Sequence, residues 1–248
     1  MSESTLESRL TKRELMDIIE GLVAESRIAK AKLWNPYDRI VNDNAYKAKI
    51  SARSEGYGPP DLIPEIPLKD VSFVKRRAWN LESSGSGEVT EEAYQKERER
   101  RRADYVKWGA TQLKSFAAGN CSIFASVTLG LLATQEALEK LAAADMVVEQ
   151  FNFSSADGHA FLVVNRTGGR TNDSGRLIDA SSWGSGAFVV DAWYARQRQT
   201  SPGSRAVKDV TDTASPYYDE DFMTFLRNES FLTPTSFTYK FLADLPRQ

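Results

Sequence analysis

The stretch Gly119-Asn-Cys-Ser-Ile-Phe-Ala-Ser-Val-Thr-Leu-Gly-Leu-Leu-Ala133 is apolar on nearly every side of the helix that it would form. A helix of this composition is buried over most of its surface. Downstream, the segments 146–153 and 159–165 are rich in β-branched and aromatic residues, which is typical of strands. The sequence therefore predicts a buried central helix at 121–133 that is followed by a sheet.

Two further segments, 177–180 and 187–193, also have the composition of strands, and a polar turn at 167–175 precedes them. Connections this short favour antiparallel pairing. Thr134 is placed to cap another short helix that ends near residue 144. We therefore expect an α+β fold in which a central buried helix packs on an antiparallel sheet of about four strands, with an N-terminal helical extension.

The residues before the central helix predict two long helices. Segment 5–33 has apolar residues at helical spacing, and Thr11 with Glu14 forms a possible capping box. Segment 90–117 is dense in charge, and opposite charges four positions apart, as in Glu97 and Arg101, favour a solvated helix surface over a basic binding face.

Composition shifts divide the chain into three predicted parts. Residues 1–87 form a helical and irregular extension, with mixed sequence at 34–70 and a connector or exposed loop at 83–87. Residues 88–200 form the core, and residues 201–248 form a C-terminal segment that packs on it. Within these last two parts, 199–216 is interpreted as a polar connector and 222–226 as a short helix.

The overall composition restricts the possible functions. The chain has 248 residues, 41% of them hydrophobic, and a formal net charge of −2, so nothing global favours binding to nucleic acid or to an anionic membrane. Its single cysteine excludes an internal disulfide and a Cys-rich zinc site. No apolar run approaches the roughly 20 residues of a membrane span, and the first residues lack the apolar core of a signal peptide, so we expect a chain made in the cytosol.

The only cysteine and the only histidine both stand at the start of a predicted element. Cys121 begins the apolar helix, where unpaired N–H groups and the helix dipole lower the pKa of a thiol. His159 begins a buried strand, which would leave its imidazole at the exposed strand end. A nucleophile with a nearby base is the arrangement that covalent acyl transfer requires.

A third group should orient the imidazole through its other nitrogen. Asp191 is our first candidate, because it is a charge in the apolar sequence Val-Val-Asp-Ala-Trp and such a charge is costly without a partner. Asp179, in Leu-Ile-Asp-Ala, has the same property and is the second candidate. Trp183 and Trp193 are interpreted as core residues that could also shield the His/Asp pair from water.

Together these motifs carry a family resemblance. Gly-Asn-Cys, then Gly-His-Ala-Phe-Leu-Val-Val, Trp-Gly and Val-Val-Asp-Ala-Trp, over about residues 105–200, resemble the papain-like and transglutaminase-like cysteine peptidase superfamily, and are most similar to secreted bacterial effector proteins. The resemblance implies that Cys121 is the nucleophile, His159 the base and Asp191 the orienting acid. It also implies a cysteine at the head of the central helix, with the histidine and aspartate on adjacent strands.

Two features depart from the family pattern. The 32 positions between His159 and Asp191 require an inserted hairpin or loop around 167–175. Papain-like enzymes stabilise the oxyanion with a glutamine shortly before the cysteine, whereas the nearest one here, Gln112, lies nine positions upstream within a predicted helix. The oxyanion donors are therefore expected to be the backbone N–H of Cys121 with the Asn120 side chain or another backbone N–H.

We expect a cysteine-dependent acyl-transfer enzyme, a thiol protease that acts on a protein substrate without metal or cofactor. The resemblance implies a bacterial effector or virulence role, with secretion into a host cell independent of a signal peptide. Glutamine deamidation or transamidation on the same core is the alternative, as is a catalytically inactive interaction module. A cell-wall amidase fits the Val-Val-Asp-Ala-Trp motif less well. The sequence leaves the substrate and the oligomeric state open.

Overall fold

The computed structural model describes residues 9–33, 59–63, 65–72, 89–154, 158–198, 204–227 and 229–246. Its helices within these ranges are α1 (Lys12–Glu25), α2 (Glu91–Leu113), α3 (Cys121–Leu132), α4 (Gln135–Leu141), α5 (Ala192–Gln197), α6 (Glu220–Arg227) and α7 (Tyr239–Ala243). Its strands are β1 (Lys32–Leu33), β2 (Ala118–Gly119), β3 (Val147–Asn152), β4 (Ala160–Val164), β5 (Arg170–Thr171), β6 (Leu177–Ile178), β7 (Phe188–Val190), β8 (Val207–Asp209) and β9 (Thr235–Thr238).

Five of the strands form one sheet in the order β8-β7-β4-β3-β9, and every neighbouring pair is antiparallel. The expected α+β class and the antiparallel pairing are confirmed. In the centre of the sheet, Gln150 of β3 lies opposite Leu162 of β4, and Asn152 lies opposite Ala160. This register places the predicted strand start at His159 next to the end of β3.

The two faces of the sheet belong to two separate hydrophobic clusters. Ala160, Leu162 and Val164 point into the cluster that contains α1 and α3. Phe161 and Val163, the residues between them, point into a second cluster with α6. Because a strand alternates its side chains between two faces, β4 is buried on both sides, which explains its continuous apolar sequence.

Helix α3 is the central buried helix. All of its residues from Ile123 to Leu132 are buried, including the polar Ser126 and Thr128, as the largely apolar sequence predicts. Asn120 caps the helix, since its Oδ1 accepts a hydrogen bond from the backbone N–H of Ile123 at 3.1 Å. Thr134 caps α4 in the same way through the N–H of Ala137, as the sequence predicted.

Helices α2 and α3 approach each other closely through two glycines. A Cβ atom at Gly130 would lie 2.2 Å from the backbone nitrogen of Ala110, and one at Gly109 would lie 2.0 Å from the carbonyl oxygen of Ser126. Any larger side chain at either position would force the helices apart. This close approach brings Tyr105 of α2 over the first turn of α3.

The N-terminal helix packs into the main core. The predicted capping box is confirmed, because the Thr11 and Glu14 side chains each accept from the other's backbone N–H. The expected helix over 5–33 is too long: α1 ends at Glu25, and Ser26 then caps a short 3₁₀ turn. The α1 side chains Leu15, Met16 and Ile19 join the cluster around α3. The division at residue 87 stays a prediction.

Several other element boundaries were wrong. The helix expected over 90–117 ends at Leu113, and Ala118–Gly119 pairs with β1 as a short parallel strand. Segment 177–180 was expected to be a strand of the main sheet. It instead contributes β6, which pairs with β5 in a separate two-stranded hairpin. The connector at 199–216 contains β8 and the C-terminal residues contain β9, so the sheet has five strands instead of about four even without β6. The short helix expected at 222–226 is confirmed within α6.

Some predictions fall outside the described residues: those for 1–8, for the connector at 83–87 and for most of 34–70.

Among the described helices, none has by itself the length and hydropathy needed to cross a membrane. The pair Cys121–Leu132 and Gln135–Ala144, which is bent by 70°, meets that test by length and composition.

Candidate active site

Cys121 is the first residue of α3 and lies at the end of the central sheet. The Asn120 cap fixes where the helix starts and therefore where the thiol stands. The half-buried sulfur faces the start of β4, with Sγ 3.8 Å from the carbonyl oxygen of Gly158. The His159 ring and the backbone of Ala160 are close enough to this thiol to lower its pKa.

His159 and Asp191 form a buried pair beside this thiol. The His159 Nε2 atom lies 2.6 Å from Oδ2 of Asp191. The two residues are only 5% and 2% exposed, so water screens the interaction weakly. Since Nε2 is taken by Asp191, Nδ1 is the ring nitrogen that remains for Cys121. The structure therefore brings Cys121, His159 and Asp191 together in that order.

Asp191 is held through both its side chain and its backbone. Its Oδ1 accepts a hydrogen bond from the backbone N–H of Tyr194 at 2.9 Å and so caps α5. Its own backbone N–H donates to the carbonyl oxygen of Ala206 at 2.8 Å. The sequence placed Asp191 inside a strand over 187–193, but β7 ends at Val190 and α5 begins at Ala192. Its charge is tolerated because a helix N-terminus and an imidazole both satisfy it.

The neighbouring charges shift the pKa values of both Cys121 and His159. Burial by itself lowers the pKa of His159, but the Asp191 carboxylate and the neighbouring sulfur outweigh burial and raise this pKa to about 10. Burial likewise raises the pKa of the Cys121 thiol, but its hydrogen bond to His159 and the charge of that ring bring the pKa below its ordinary value. These opposite shifts favour the charged form of each group, a thiolate beside an imidazolium.

Aromatic side chains enclose the imidazole. The ring centroid of Trp193 lies 5.2 Å from that of His159, and those of Phe153 and Phe225 lie 5.3 and 5.4 Å away. They keep water from the hydrogen bond between His159 and Asp191. Trp193 thus lies where shielding was expected, whereas Trp183 is fully buried in the second hydrophobic cluster. Phe225 belongs to α6, and no local sequence signal linked it to His159.

The other candidate residues lie elsewhere or are otherwise engaged. Asp179 heads a 3₁₀ turn, where its carboxylate accepts from Ser181 and lies 3.4 Å from Arg170. Gln112 stands in the final turn of α2, which ends at Leu113. Asn120 is next to the nucleophile, but its Oδ1 is used as the helix cap.

Comparison with family models, curated proteins and solved structures finds no match to this chain. The interpretation of the site therefore depends on its geometry. Within the described ranges, no three His, Cys, Asp or Glu side chains are grouped to bind a metal ion.

Sequence reasoning missed a polar contact below the first turn of α3. The hydroxyl of Tyr105 donates to Oε1 of Gln150, and both side chains are buried. The only signal in the sequence was a glutamine within the apolar strand 146–153.

Proposed function

We propose that this chain is a cysteine-dependent acyl-transfer enzyme in which Cys121 is the nucleophile, His159 the acid and base, and Asp191 the orienting acid. The observation that supports this most is the buried 2.6 Å contact between His159 Nε2 and Asp191 Oδ2, beside the Cys121 sulfur, which lies 3.8 Å from the carbonyl oxygen of Gly158. A buried ion pair of this kind is costly for stability alone, and strongly shifted pKa values are concentrated at functional sites.

The proposed reaction has two stages. The Cys121 thiolate attacks the carbonyl carbon of an amide, so that a C–S bond forms and the carbonyl oxygen becomes an oxyanion. The imidazolium Nδ1–H of His159 then donates its proton to the leaving nitrogen, the C–N bond breaks, and a thioester remains. In the second stage neutral His159 takes a proton from water, whose oxygen attacks the thioester and releases a carboxylic acid product and the thiolate.

We further propose that α3 and the antiparallel sheet form a papain-like or transglutaminase-like core. The support is a cysteine at the head of the central helix, together with a histidine before β4 and an aspartate after β7, the strand paired with β4. On such a core we favour a peptide bond of a protein as the substrate and a secreted bacterial effector as the role. Glutamine deamidation would use the same thioester and differ only in releasing ammonia.

Replacement of Cys121 by alanine is expected to abolish both labelling and turnover. At pH 6 the wild-type chain should react with an iodoacetamide probe faster than free cysteine does, whereas the variant should not be labelled, because this is the only thiol. Both proteins are then incubated with a peptide library made from a cell lysate. Mass spectrometry measures new N-termini and glutamine-to-glutamate conversion.

Iodoacetamide-treated wild-type protein is the matched control, since it keeps the sequence and loses only the thiolate. New N-termini that appear with untreated wild-type protein alone support proteolysis, and deamidated glutamines support the alternative product. A wild-type thiol that reacts no faster than free cysteine at pH 6, with the same peptides for all three samples, would contradict acyl transfer.

A further inference from the structure

We propose that Gln150 supplies the second oxyanion donor of this site, through its side-chain Nε2, beside the backbone N–H of Cys121. The inference rests on the proposed acyl-transfer function and extends it to a residue on a different strand from His159. It assigns the second donor to Gln150 in place of the Asn120 side chain or another backbone N–H, which were the donors expected from the sequence.

Gln150 is a polar residue in an apolar environment. It lies in the middle of β3, is 4% exposed, and shares its face of the sheet with Val148 and with Leu162 across the pairing. A buried amide is costly unless its polar atoms are satisfied. Among the described residues its hydrogen bond is the one that Oε1 accepts from Tyr105, which leaves the two N–H groups of Nε2 for another acceptor.

The register of the sheet places this amide under the start of α3. Ala160, whose N–H faces the Cys121 sulfur, pairs with Asn152, and Gln150 is the next residue along β3 on that same face. Tyr105 gives a second link, because its hydroxyl also lies 3.4 Å from the carbonyl oxygen of Ser122, the residue after the nucleophile. One tyrosine hydroxyl thus contacts both Gln150 and the first turn of α3.

The surroundings suit a fixed donor. The Cys121 N–H belongs to the first turn of a helix, where it has no acceptor within the helix and adds to the positive end of the dipole. The Tyr105 side chain that orients Gln150 is itself buried and held by the close contact of α2 with α3. Donors that are already in place before the oxyanion forms are the ones that accelerate acyl transfer most. Asn120 is less suitable because its amide is oriented by the cap to Ile123.

The test compares two reactions of the same thiolate. Iodoacetamide is attacked at a saturated carbon and generates no oxyanion, whereas p-nitrophenyl acetate is attacked at a carbonyl and does generate one. Replacing Gln150 by methionine, which keeps the length and removes the amide, should slow acylation by p-nitrophenyl acetate about 100-fold, the usual loss for one oxyanion donor. Alkylation of Cys121 should stay within about twofold of wild type, because an oxyanion donor has no part in it.

Gln135→Met is the matched control: it makes the same exchange at an exposed glutamine beyond the opposite end of α3, so its acylation rate should stay close to that of wild type. If Gln150→Met does not fold, Gln150→Asn, which withdraws the same amide by one methylene, takes its place. Wild-type-like acylation in the Gln150 variant would overturn the inference, as would an equal fall of acylation and alkylation. Absence of enhanced alkylation in the wild type would instead refute the proposed function itself.

Discussion

Replacement of His159 by glutamine is expected to slow alkylation of Cys121 at pH 6 by about 100-fold, because a thiol with an ordinary pKa is almost entirely protonated at that pH. In the wild type, His159 holds the pKa of Cys121 below its ordinary value, so that the thiolate persists as the pH falls. Glutamine is chosen because its amide can still donate to the buried Asp191 carboxylate, which alanine would leave without a partner. The measurement is the rate of iodoacetamide labelling between pH 5 and pH 10.

The high-pH end of the same experiment is its internal control. As the pH rises toward 10 the variant thiol ionises without help from His159, so the ratio of the two rates should shrink. A more basic thiolate is also the better nucleophile, which reduces the difference between the two rates further. Curves that keep a constant ratio from pH 5 to pH 10 would mean that His159 affects access to the thiol and not its ionisation.

Replacement of Asp191 by alanine is expected to lower the rate of acylation by p-nitrophenyl acetate by about 10³–10⁴-fold, the scale seen when the orienting acid of a triad is lost. Two effects combine. The charge that raises the pKa of His159 disappears, and the ring loses the contact that keeps Nδ1 directed at Cys121. Asp191→Asn keeps a hydrogen-bonding group and a good helix cap, so its loss should be smaller than that of the alanine variant.

Asp179→Ala is the matched control, because Asp179 was the second candidate for the orienting acid in the sequence. Asp179 lies in a similar local sequence, but its carboxylate pairs with Ser181 and Arg170 in a turn. The acylation rate of the Asp179→Ala variant should therefore remain within about twofold of wild type. A large loss in the Asp179 variant with none in the Asp191 variant would exchange the roles of the two residues. Equal losses would point to a general effect on folding, which the melting temperatures would reveal.

The sequence predicted best where local chemistry decides the structure. The largely apolar composition of α3, the capping box of Thr11 with Glu14, and the Thr134 cap each depend on residues a few positions apart, and each is present. The position of Cys121 at the helix start follows from the same local signals. Asp191 was identified for an incomplete reason, since its charge is satisfied by the N-terminus of α5 as well as by His159.

The sequence failed where pairing over long distances decides the structure. Strands β8 and β9 are short and lie in segments of mixed or polar composition, and only their partners β7 and β3 make them strands. Phe225 reaches His159 from a helix 66 positions away, and Tyr105 reaches Gln150 across 45 positions. Such contacts leave no periodicity in the sequence, because each involves one residue from each element.

Titration of His159 by NMR tests the activation of Cys121 most directly, because the chain has one histidine and its imidazole signals have no overlap from others. With Asp191 and the Cys121 thiolate in contact with the ring, the imidazole should stay doubly protonated through neutral pH and lose its proton only near the pKa of about 10. Alkylation of Cys121 should lower this pKa, since it removes the thiolate. A His159 that titrates near 6.5, the ordinary pKa of histidine, with or without alkylation would contradict the account.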